Sequence, residues 1–244
     1  MISTLLLFTA TSFSVGAAGL RWVDRRSSPE RRRERRVKLA GYFAVVHAVL
    51  FCAWLGRAAL GTLFLGVAAV GGAELVRAHG CGDRRVAMRS LAATLGCYGA
   101  LAAGLVAFAL TSAPASTVYV YLIVAAFDGF SQVAGESLGR RRLAPRVSPN
   151  KTIEGALGGL FAAVSTAVAL RSLPQLDWAA ATSVGALTAA AALGGDLAAS
   201  WVKRRNGIKD FGTLLPGQGG ALDRFDSLLL AGSAAQMLSR TILP

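Results

Sequence analysis

A succession of long apolar stretches is the feature that most restricts what this chain can fold into. A helix needs roughly 20 mostly apolar residues to cross the hydrocarbon core of a bilayer, and short basic segments separate stretches of about that length. Their approximate bounds are 2–20, 39–55, 58–76, 90–111, 117–138, 153–170, 178–202 and 222–238. Only helices and closed barrels span a bilayer, and the alternation typical of strands is absent. The sequence therefore predicts an all-α, polytopic transmembrane bundle of about eight spans.

The composition excludes an ordinary soluble domain and argues against a nucleic-acid partner. Apolar residues make up 54% of the 244 residues and charged residues only 16%, which is more apolar than a typical globular domain. The net charge of +13 alone would suit nucleic acid, but the basic residues separate the apolar stretches and form no polar face with interleaved aromatics. We therefore expect no nucleic-acid partner. The three cysteines lie apart and indicate neither a disulfide framework nor a zinc site.

The basic residues are distributed unevenly between the two sides of the membrane. If the stretches alternate in direction, 23 of the 26 Lys and Arg residues fall on one side and only Arg57, Arg171 and Arg240 on the other. The positive-inside rule makes the basic side cytoplasmic and both termini external. Segment 21–38 follows the first stretch and is rich in Arg, so we expect a retained anchor and not a cleaved signal peptide. The segment is either a topology determinant or a sensor of lipid headgroups.

Acidic residues near the basic loops of the second half are the strongest functional signal, because acids in lipid are costly and tend to mark function. Asp196, Ser200 and Lys203 fall at i, i+4 and i+7, on one helical face. Asp223 and Asp226, at i and i+3, share a face of the next helix. Three converging carboxylates suit Mg²⁺, which takes oxygen ligands and shares its other positions with phosphates and water.

Cations and glycines accompany these acids. Lys203, Arg204 and Lys209 would balance phosphate charge. Small residues in the intervening loop permit close backbone approach to a phosphate; they are Gly212, Gly217, Gly219 and Gly220. For Asp196 taken alone, a buried ion pair with Lys203 or Arg204 is an equally good interpretation.

The segment at 200–226, which reads SWVKRRNGIKDFGTLLPGQGGALDRFD, resembles the C-terminal motif of the phosphatidate cytidylyltransferases, or CDP-diacylglycerol synthases. That motif runs S-x-x-K-R, K-D, P-x-H-G-G and D-R-x-D. The matching positions are Ser200, Lys203, Arg204, Lys209, Asp210, Gly212, Pro216 or Gly217, Gly219, Gly220, Asp223, Arg224 and Asp226. Gln218 stands where the family usually carries His. A Gln keeps a hydrogen bond but neither the charge nor the proton transfer of His.

A second segment, 128–159, is similar to the other motif of the same family, an Asp on a helix followed by L-A-P-x-V-S-P-x-K-T-x-E-G. The matching positions are Asp128, Gly135, Gly139, Leu143, Pro145, Ser148, Pro149, Lys151, Thr152, Glu154 and Gly155. Four positions depart from the family: Gly129 replaces a hydroxyl residue, Gln132 an aromatic, Glu136 a base and Ile153 a Trp. We associate this part with the lipid, so the departures bear on the identity of the substrate.

The second segment also carries local signals of its own. Residues 148–152 precede a helix and predict either an anion site, built from helix amides and Lys151, or an ordinary helix cap. Asp128, Gln132 and Glu136 share one face, which either lines a substrate cavity or packs against basic loops. The pair Gly155 and Gly159 predicts close helix packing.

The resemblance implies an enzyme that transfers a cytidylyl group from CTP to phosphatidic acid or a related lipid phosphate and releases pyrophosphate. It implies catalytic roles for Asp196, Ser200, Lys203, Asp223 and Asp226, with Asp196, Asp223 and Asp226 as metal ligands. It implies substrate contacts from Asp128, Ser148, Lys151, Thr152, Arg204, Lys209, Gln218, Gly219, Gly220 and Arg224. The expected cofactor is Mg²⁺ at two divalent sites, beside which a monovalent cation can also bind. The expected partners are membrane lipids and a second copy of the chain in a homodimer. The expected location is the inner membrane, with the site facing the cytoplasm.

The resemblance covers roughly the second half of the chain, so we divide one continuous membrane domain into an N-terminal helical part at 1–117 and a catalytic part at 118–244. We assign no catalytic residue to the first part, where His47 and Glu74 are interpreted as satisfied polar residues between helices. Alternatives are a CTP-dependent enzyme acting on another lipid phosphate or a polyprenol, and a catalytically impaired scaffold. A transporter is disfavoured because we find no internal repeat and no interrupted midplane helix.

Overall fold

A computed structural model describes residues 2–24, 28–79, 84–214 and 219–239. Helices account for most of these residues, which confirms the all-α prediction. In chain order they are α1 (Ile2–Asp24), α2 (Pro29–Leu55), α3 (Arg57–Ala78), α4 (Arg84–Thr111), α5 (Pro114–Leu138), α6 (Ile153–Ala169), α7 (Trp178–Arg205) and α8 (Leu222–Leu238).

Several helices are long and apolar enough to cross a membrane, which makes this a multi-pass membrane protein. Within the described ranges five meet that standard; they are Arg35–Leu55 of α2, α3, Leu91–Thr111 of α4, α5 and α7. Helices α6 and α8 have 17 residues each, and at 1.5 Å per residue they reach about 26 Å, short of a hydrocarbon core of about 30 Å. The total of eight crossings stays a prediction.

A β-hairpin between α5 and α6 is the main departure from the predicted all-helical arrangement. Strands β1 (Arg142–Ala144) and β2 (Ser148–Thr152) are antiparallel, with Arg142 opposite Thr152 and Ala144 opposite Ser148. The Thr152 hydroxyl caps α6 by accepting the amide of Gly155 at 3.1 Å. The helix-cap interpretation of segment 148–152 is therefore confirmed, and Lys151 lies on β2 directly before the Thr152 cap.

Helix α5 is the centre of the fold. Its first three turns are buried from Ser116 to Val124, and it contacts α1, α2, α4, α6, α7 and α8. Glycines allow α6 to approach its backbone: a Cβ built on Gly159 would lie 2.8 Å from the carbonyl oxygen of Phe127, and one on Gly155 would lie 2.8 Å from that of Ser131. The packing role predicted for these two glycines is confirmed.

Candidate active site

A polar cavity of about 670 Å³ lies between α2, α5, α7, α8 and the hairpin. Both functional segments of the sequence contribute to its wall. The predicted site residues that line it are Asp128, Lys151, Thr152, Asp196, Lys203, Asp223, Arg224 and Asp226. Residues separated by as many as 98 positions are thus brought to one cavity.

Three carboxylates form the acidic side of this cavity. Helices α7 and α8 approach closely at Gly195, where an added Cβ would lie 2.6 Å from the carbonyl oxygen of Asp226. That approach brings Asp196 beside Asp226, and both lie within electrostatic range of Asp128 on α5. Ser227 links α8 to α5 by donating its hydroxyl to Asp128 at 3.1 Å. Like charges this close repel one another unless cations lie between them.

Asp196 pairs with a cation from the hairpin. Its carboxylate forms a salt bridge with the Lys151 ammonium, and its Oδ1 accepts the Ser200 hydroxyl at 3.3 Å. The predicted alternative partners, Lys203 and Arg204, form no ion pair with it among the described residues. The predicted pairing of Asp196 with Lys203 or Arg204 is therefore wrong. The hairpin brings Lys151 to Asp196 instead, and the i, i+7 spacing on α7 does not encode where the hairpin packs.

Lys203 and Asp223 form a buried pair that braces the loop before α8. The Lys203 ammonium lies 2.9 Å from Asp223 Oδ1 and 3.9 Å from Asp226 Oδ2. Asp223 Oδ2 accepts the backbone amides of Phe211 at 2.8 Å and Gly220 at 2.9 Å. The carboxylate of Asp223 is therefore fully engaged, whereas those of Asp196 and Asp226 have fewer partners.

Gly219 must be small and must adopt a left-handed backbone for this arrangement to form. Its φ is +86°, and a Cβ there would lie 2.7 Å from Asp223 Oδ2. Only glycine adopts that conformation at little cost. Gly219 and Gly220 thus shape the loop, and neither lines the cavity. Gln218, the departure from the family, lies outside the described residues.

Glu74 of α3 caps α8 from a distant part of the chain. It is only 4% exposed, and its two carboxylate oxygens accept the amides of Ala221 at 3.0 Å and Leu222 at 2.9 Å. Gly212 and Gly220 pack so closely that a Cβ on either would overlap this carboxylate. Glu74 is indeed a satisfied polar residue, as predicted, but its partners are the amides that begin the helix carrying Asp223 and Asp226. His47, by contrast, bonds only the Phe43 carbonyl of its own helix at 2.8 Å among the described contacts.

Three other predicted contact residues lie outside the cavity. The exposed Arg204 donates to the carbonyl oxygens of Val147 at 3.3 Å and Ile208 at 3.2 Å, which ties the hairpin to the end of α7. Lys209 is exposed, and Ser148 pairs with Ala144 in the hairpin.

The cavity is also lined by residues that the sequence analysis did not single out. Lys38 and Tyr42 of α2 come from the first half of the chain, and Arg140, Arg142 and Asn150 lie around the hairpin in the second half. The only sequence signal for Lys38 was its place where a basic segment meets an apolar stretch.

The polar face predicted on α5 both lines the cavity and contacts the basic segment, the two interpretations given for it above. Asp128, Gln132 and Glu136 all line the cavity. Gln132 donates to Glu136 at 2.9 Å, and Glu136 forms a 3.0 Å ion pair with Arg35 of the basic segment.

The cavity carries donors of the type that a hard divalent cation takes. No group of three or more His, Cys, Asp or Glu residues in the described ranges stands ready to enclose a metal ion. The carboxylates of Asp128, Asp196 and Asp226 nevertheless face one polar cavity, and oxygen donors of this kind suit Mg²⁺. The carboxylates of Asp128, Asp196 and Asp226 therefore fit Mg²⁺ by their chemistry. Asp223 is not counted among these donors, because two loop amides and Lys203 already occupy its oxygens.

Comparison with known proteins identifies the family of this chain. The model of the cytidylyltransferase family matches residues 8–242. A Brucella abortus protein named phosphatidate cytidylyltransferase is 43% identical over 118 residues, which is 48% of this chain and 43% of that protein. A Staphylococcus aureus protein of the same name is 40% identical over 114 residues, or 46% of this chain and 44% of that protein. The aligned stretch thus spans less than half the length of these relatives. Since the family model extends over nearly all of the sequence, this chain belongs to the cytidylyltransferase family.

Proposed function

We propose that the protein transfers the cytidylyl group of CTP to the phosphate of a phosphatidic-acid-type lipid, giving a CDP-lipid and pyrophosphate. The observation that carries this proposal is the polar cavity in a membrane protein, where clustered carboxylates lie beside Lys151 and Lys203. The relatives named phosphatidate cytidylyltransferase support it.

The reaction requires a nucleophile, a leaving group and control of charge. An oxygen of the lipid phosphate attacks the α-phosphorus of CTP, and a new P–O bond forms. The bond from that phosphorus to the bridging oxygen of the β-phosphate breaks, and pyrophosphate leaves with the electron pair. The second pKa of a phosphate monoester is about 6, so the group is largely dianionic at neutral pH and the attack needs no general base. Positioning and charge stabilisation are then the main tasks of the site.

Cations on several elements can orient the two phosphate groups. Lys151 comes from the hairpin, Lys203 from α7 and Arg224 from α8, and all three line the cavity. Because Asp196 holds Lys151 and Asp223 holds Lys203, both ammonium groups are fixed before substrate arrives. Arg140 and Arg142 add positive charge at the hairpin, which favours entry of an anionic nucleotide.

We infer that Asp196, Asp226 and Asp128 would hold Mg²⁺, and that Asp223 orients Lys203 and the loop. Bound Mg²⁺ would neutralise phosphate charge during transfer. The number of metal sites and a monovalent cation stay predictions, as does the homodimer.

The proposed location is the inner membrane, with the cavity facing the cytoplasm. The relatives above are bacterial proteins. The cavity lies beside the basic hairpin and the basic C-terminal turn of α7, which the positive-inside rule assigns to the cytoplasm.

Two labels on CTP test the reaction. Purified protein is incubated with Mg²⁺, phosphatidic acid and CTP labelled with ³²P on either the α- or the γ-phosphate. We expect label to enter the lipid from the α-position only, with γ-label recovered as pyrophosphate. Parallel assays with a polyprenyl phosphate and other lipid phosphates identify the preferred acceptor. Transfer of the γ-label would indicate a kinase, and no transfer to any lipid would contradict the proposed function.

A further inference from the structure

A second, apolar cavity lies between α1, α2 and α5, and we call it the α1 groove. Its volume is about 190 Å³, and much of its wall is hydrophobic; Phe8, Phe13, Leu39, Val46, Leu122 and Val133 contribute. Most of the residues that line the groove take no part in the cytidylyl-transfer site.

The α1 groove adjoins the polar cavity. Lys38, Tyr42, Gln132 and Arg224 line both spaces. Two cationic residues and two hydrogen-bonding residues thus stand at the junction. A ligand that fills both spaces needs an anionic, polar end on the side of Lys151 and Asp196 and an apolar end among the phenylalanines.

The chemistry of the groove selects its occupant. The base and ribose of a nucleotide carry many hydrogen-bonding groups, which an apolar wall would leave unsatisfied at a cost of several kcal/mol. An acyl chain has no such groups and gains from burial. The part of the reactants that fits the groove is therefore a lipid chain whose phosphate remains in the polar cavity.

Two glycines keep the groove open. Gly16 of α1 and Gly129 of α5 line it, and a Cβ built on either would meet nothing within 4 Å. They differ from Gly155 and Gly159, where an added Cβ would strike the neighbouring helix. A helical glycine costs about 1 kcal/mol relative to alanine, and close packing offers no compensation at these two positions. Gly129 is also a position where the family resemblance leads one to expect a hydroxyl side chain.

We propose that the α1 groove binds an acyl chain of the lipid phosphate and that Gly16 and Gly129 are specificity-determining residues which admit a long chain. This inference rests on the proposed function, since it names the part of the substrate that the groove receives. A larger side chain at either glycine would shorten or narrow the space without touching the residues that face the phosphates.

Kinetics with lipids of two lengths test the proposal. Gly16→Leu and Gly129→Leu are compared with wild type, using dioleoyl and dioctanoyl phosphatidic acid in mixed micelles. Gly66→Leu of α3 is the matched control, because Gly66 also has open space around it but does not line the groove. We expect KM for the dioleoyl lipid to rise about tenfold or more in both groove variants. Their KM for the dioctanoyl lipid should rise less, and their KM for CTP should not change. The Gly66→Leu control should have wild-type KM values for both lipids. Groove variants with wild-type lipid kinetics would overturn the proposal.

A photocrosslinking experiment separates failure of the groove from failure of the proposed function. Wild-type protein is irradiated with phosphatidic acid that carries a diazirine in one acyl chain, and the labelled peptides are identified by mass spectrometry. We expect label on α1 and α5, reduced in Gly129→Leu and retained in Gly66→Leu. Such labelling in a protein that makes no CDP-lipid would support the groove while contradicting the proposed function. CDP-lipid synthesis with label confined to other helices would contradict the groove alone.

Discussion

At the scale of single residues, the charged side chains of the polar cavity are held by partners of opposite charge. Lys203 is the clearest case, because its ammonium bridges Asp223 at 2.9 Å and approaches Asp226 at 3.9 Å while its side chain is only 11% exposed. Its charge also lies 5.3 Å from the ring centre of Phe211. Burying such a pair stabilises little by itself, but removing one partner leaves an uncompensated buried charge.

Lys203→Met should therefore lower both stability and turnover. We expect a loss of about 3–5 kcal/mol in the free energy of unfolding, seen as a lower Tm in detergent, together with loss of CDP-lipid synthesis. Lys203→Arg keeps the charge and should lose less. The exposed Lys209 provides the control, since Lys209→Met should keep the wild-type Tm. A Lys203→Met protein with wild-type Tm and turnover would contradict the bridging role.

Local spacing predicted which acids reach the site but not how they are paired. Asp196 and Ser200, one helical turn apart, do contact each other. The pairing of Asp196 with Lys151 spans 45 positions and depends on where the hairpin packs, which periodicity on one helix does not encode.

At the scale of elements, α8 depends on α3 for its N-terminal cap. Ala221 has no side chain able to cap the helix, and Glu74 supplies the missing acceptor oxygens. A carboxylate here also interacts favourably with the positive end of the helix dipole. The position of Asp223 and Asp226 is thus set in part by a residue of the first half of the chain.

Glu74→Ala should remove both hydrogen bonds and move the start of α8. We expect the free energy of unfolding to fall by about 1.5–3 kcal/mol and kcat to fall, with KM for CTP changed little. Glu74→Gln keeps one acceptor oxygen and should show smaller effects in both measurements. Equal Tm and equal kcat for wild type, Gln and Ala would mean that the cap does not position α8.

Hydropathy located the helices well and the polar elements poorly. The predicted stretches at 222–238 and 153–170 agree closely with α8 and α6. Helix α2 begins at Pro29 and not near residue 39, because Arg and Glu are good helix formers and Pro suits a first turn. The β-hairpin has no apolar alternation, since it lies at a cavity instead of a core, and so no pattern in the sequence predicts its strands.

For the whole molecule, the arrangement of the basic loops fixes the expected orientation. The hairpin lies directly before α6, and the loop that leads into α7 lies directly after it. If α6 crosses the bilayer as predicted, these two segments lie on opposite sides.

Cysteine labelling should show that difference. In a protein without its native cysteines, Ser148→Cys should resist an impermeant maleimide in intact cells and react after permeabilisation. Asp177→Cys, in the segment between α6 and α7, should react from outside. External labelling of Ser148→Cys would invert the proposed topology.

The Mg²⁺-dependent turnover of amide variants in one lipid nanodisc preparation tests directly whether the polar cavity catalyses cytidylyl transfer. Asp196→Asn and Asp226→Asn keep the shape of each side chain and remove the charge that would hold a cation. Asp177→Asn is the control: Asp177 caps α7 by accepting the Ala180 amide at 2.7 Å, and Asn caps helices equally well. We expect normal insertion of all three proteins, loss of turnover by at least about 100-fold in the two cavity variants, and wild-type turnover in the control. Near wild-type turnover of both cavity variants, with unchanged Mg²⁺ dependence, would contradict the account.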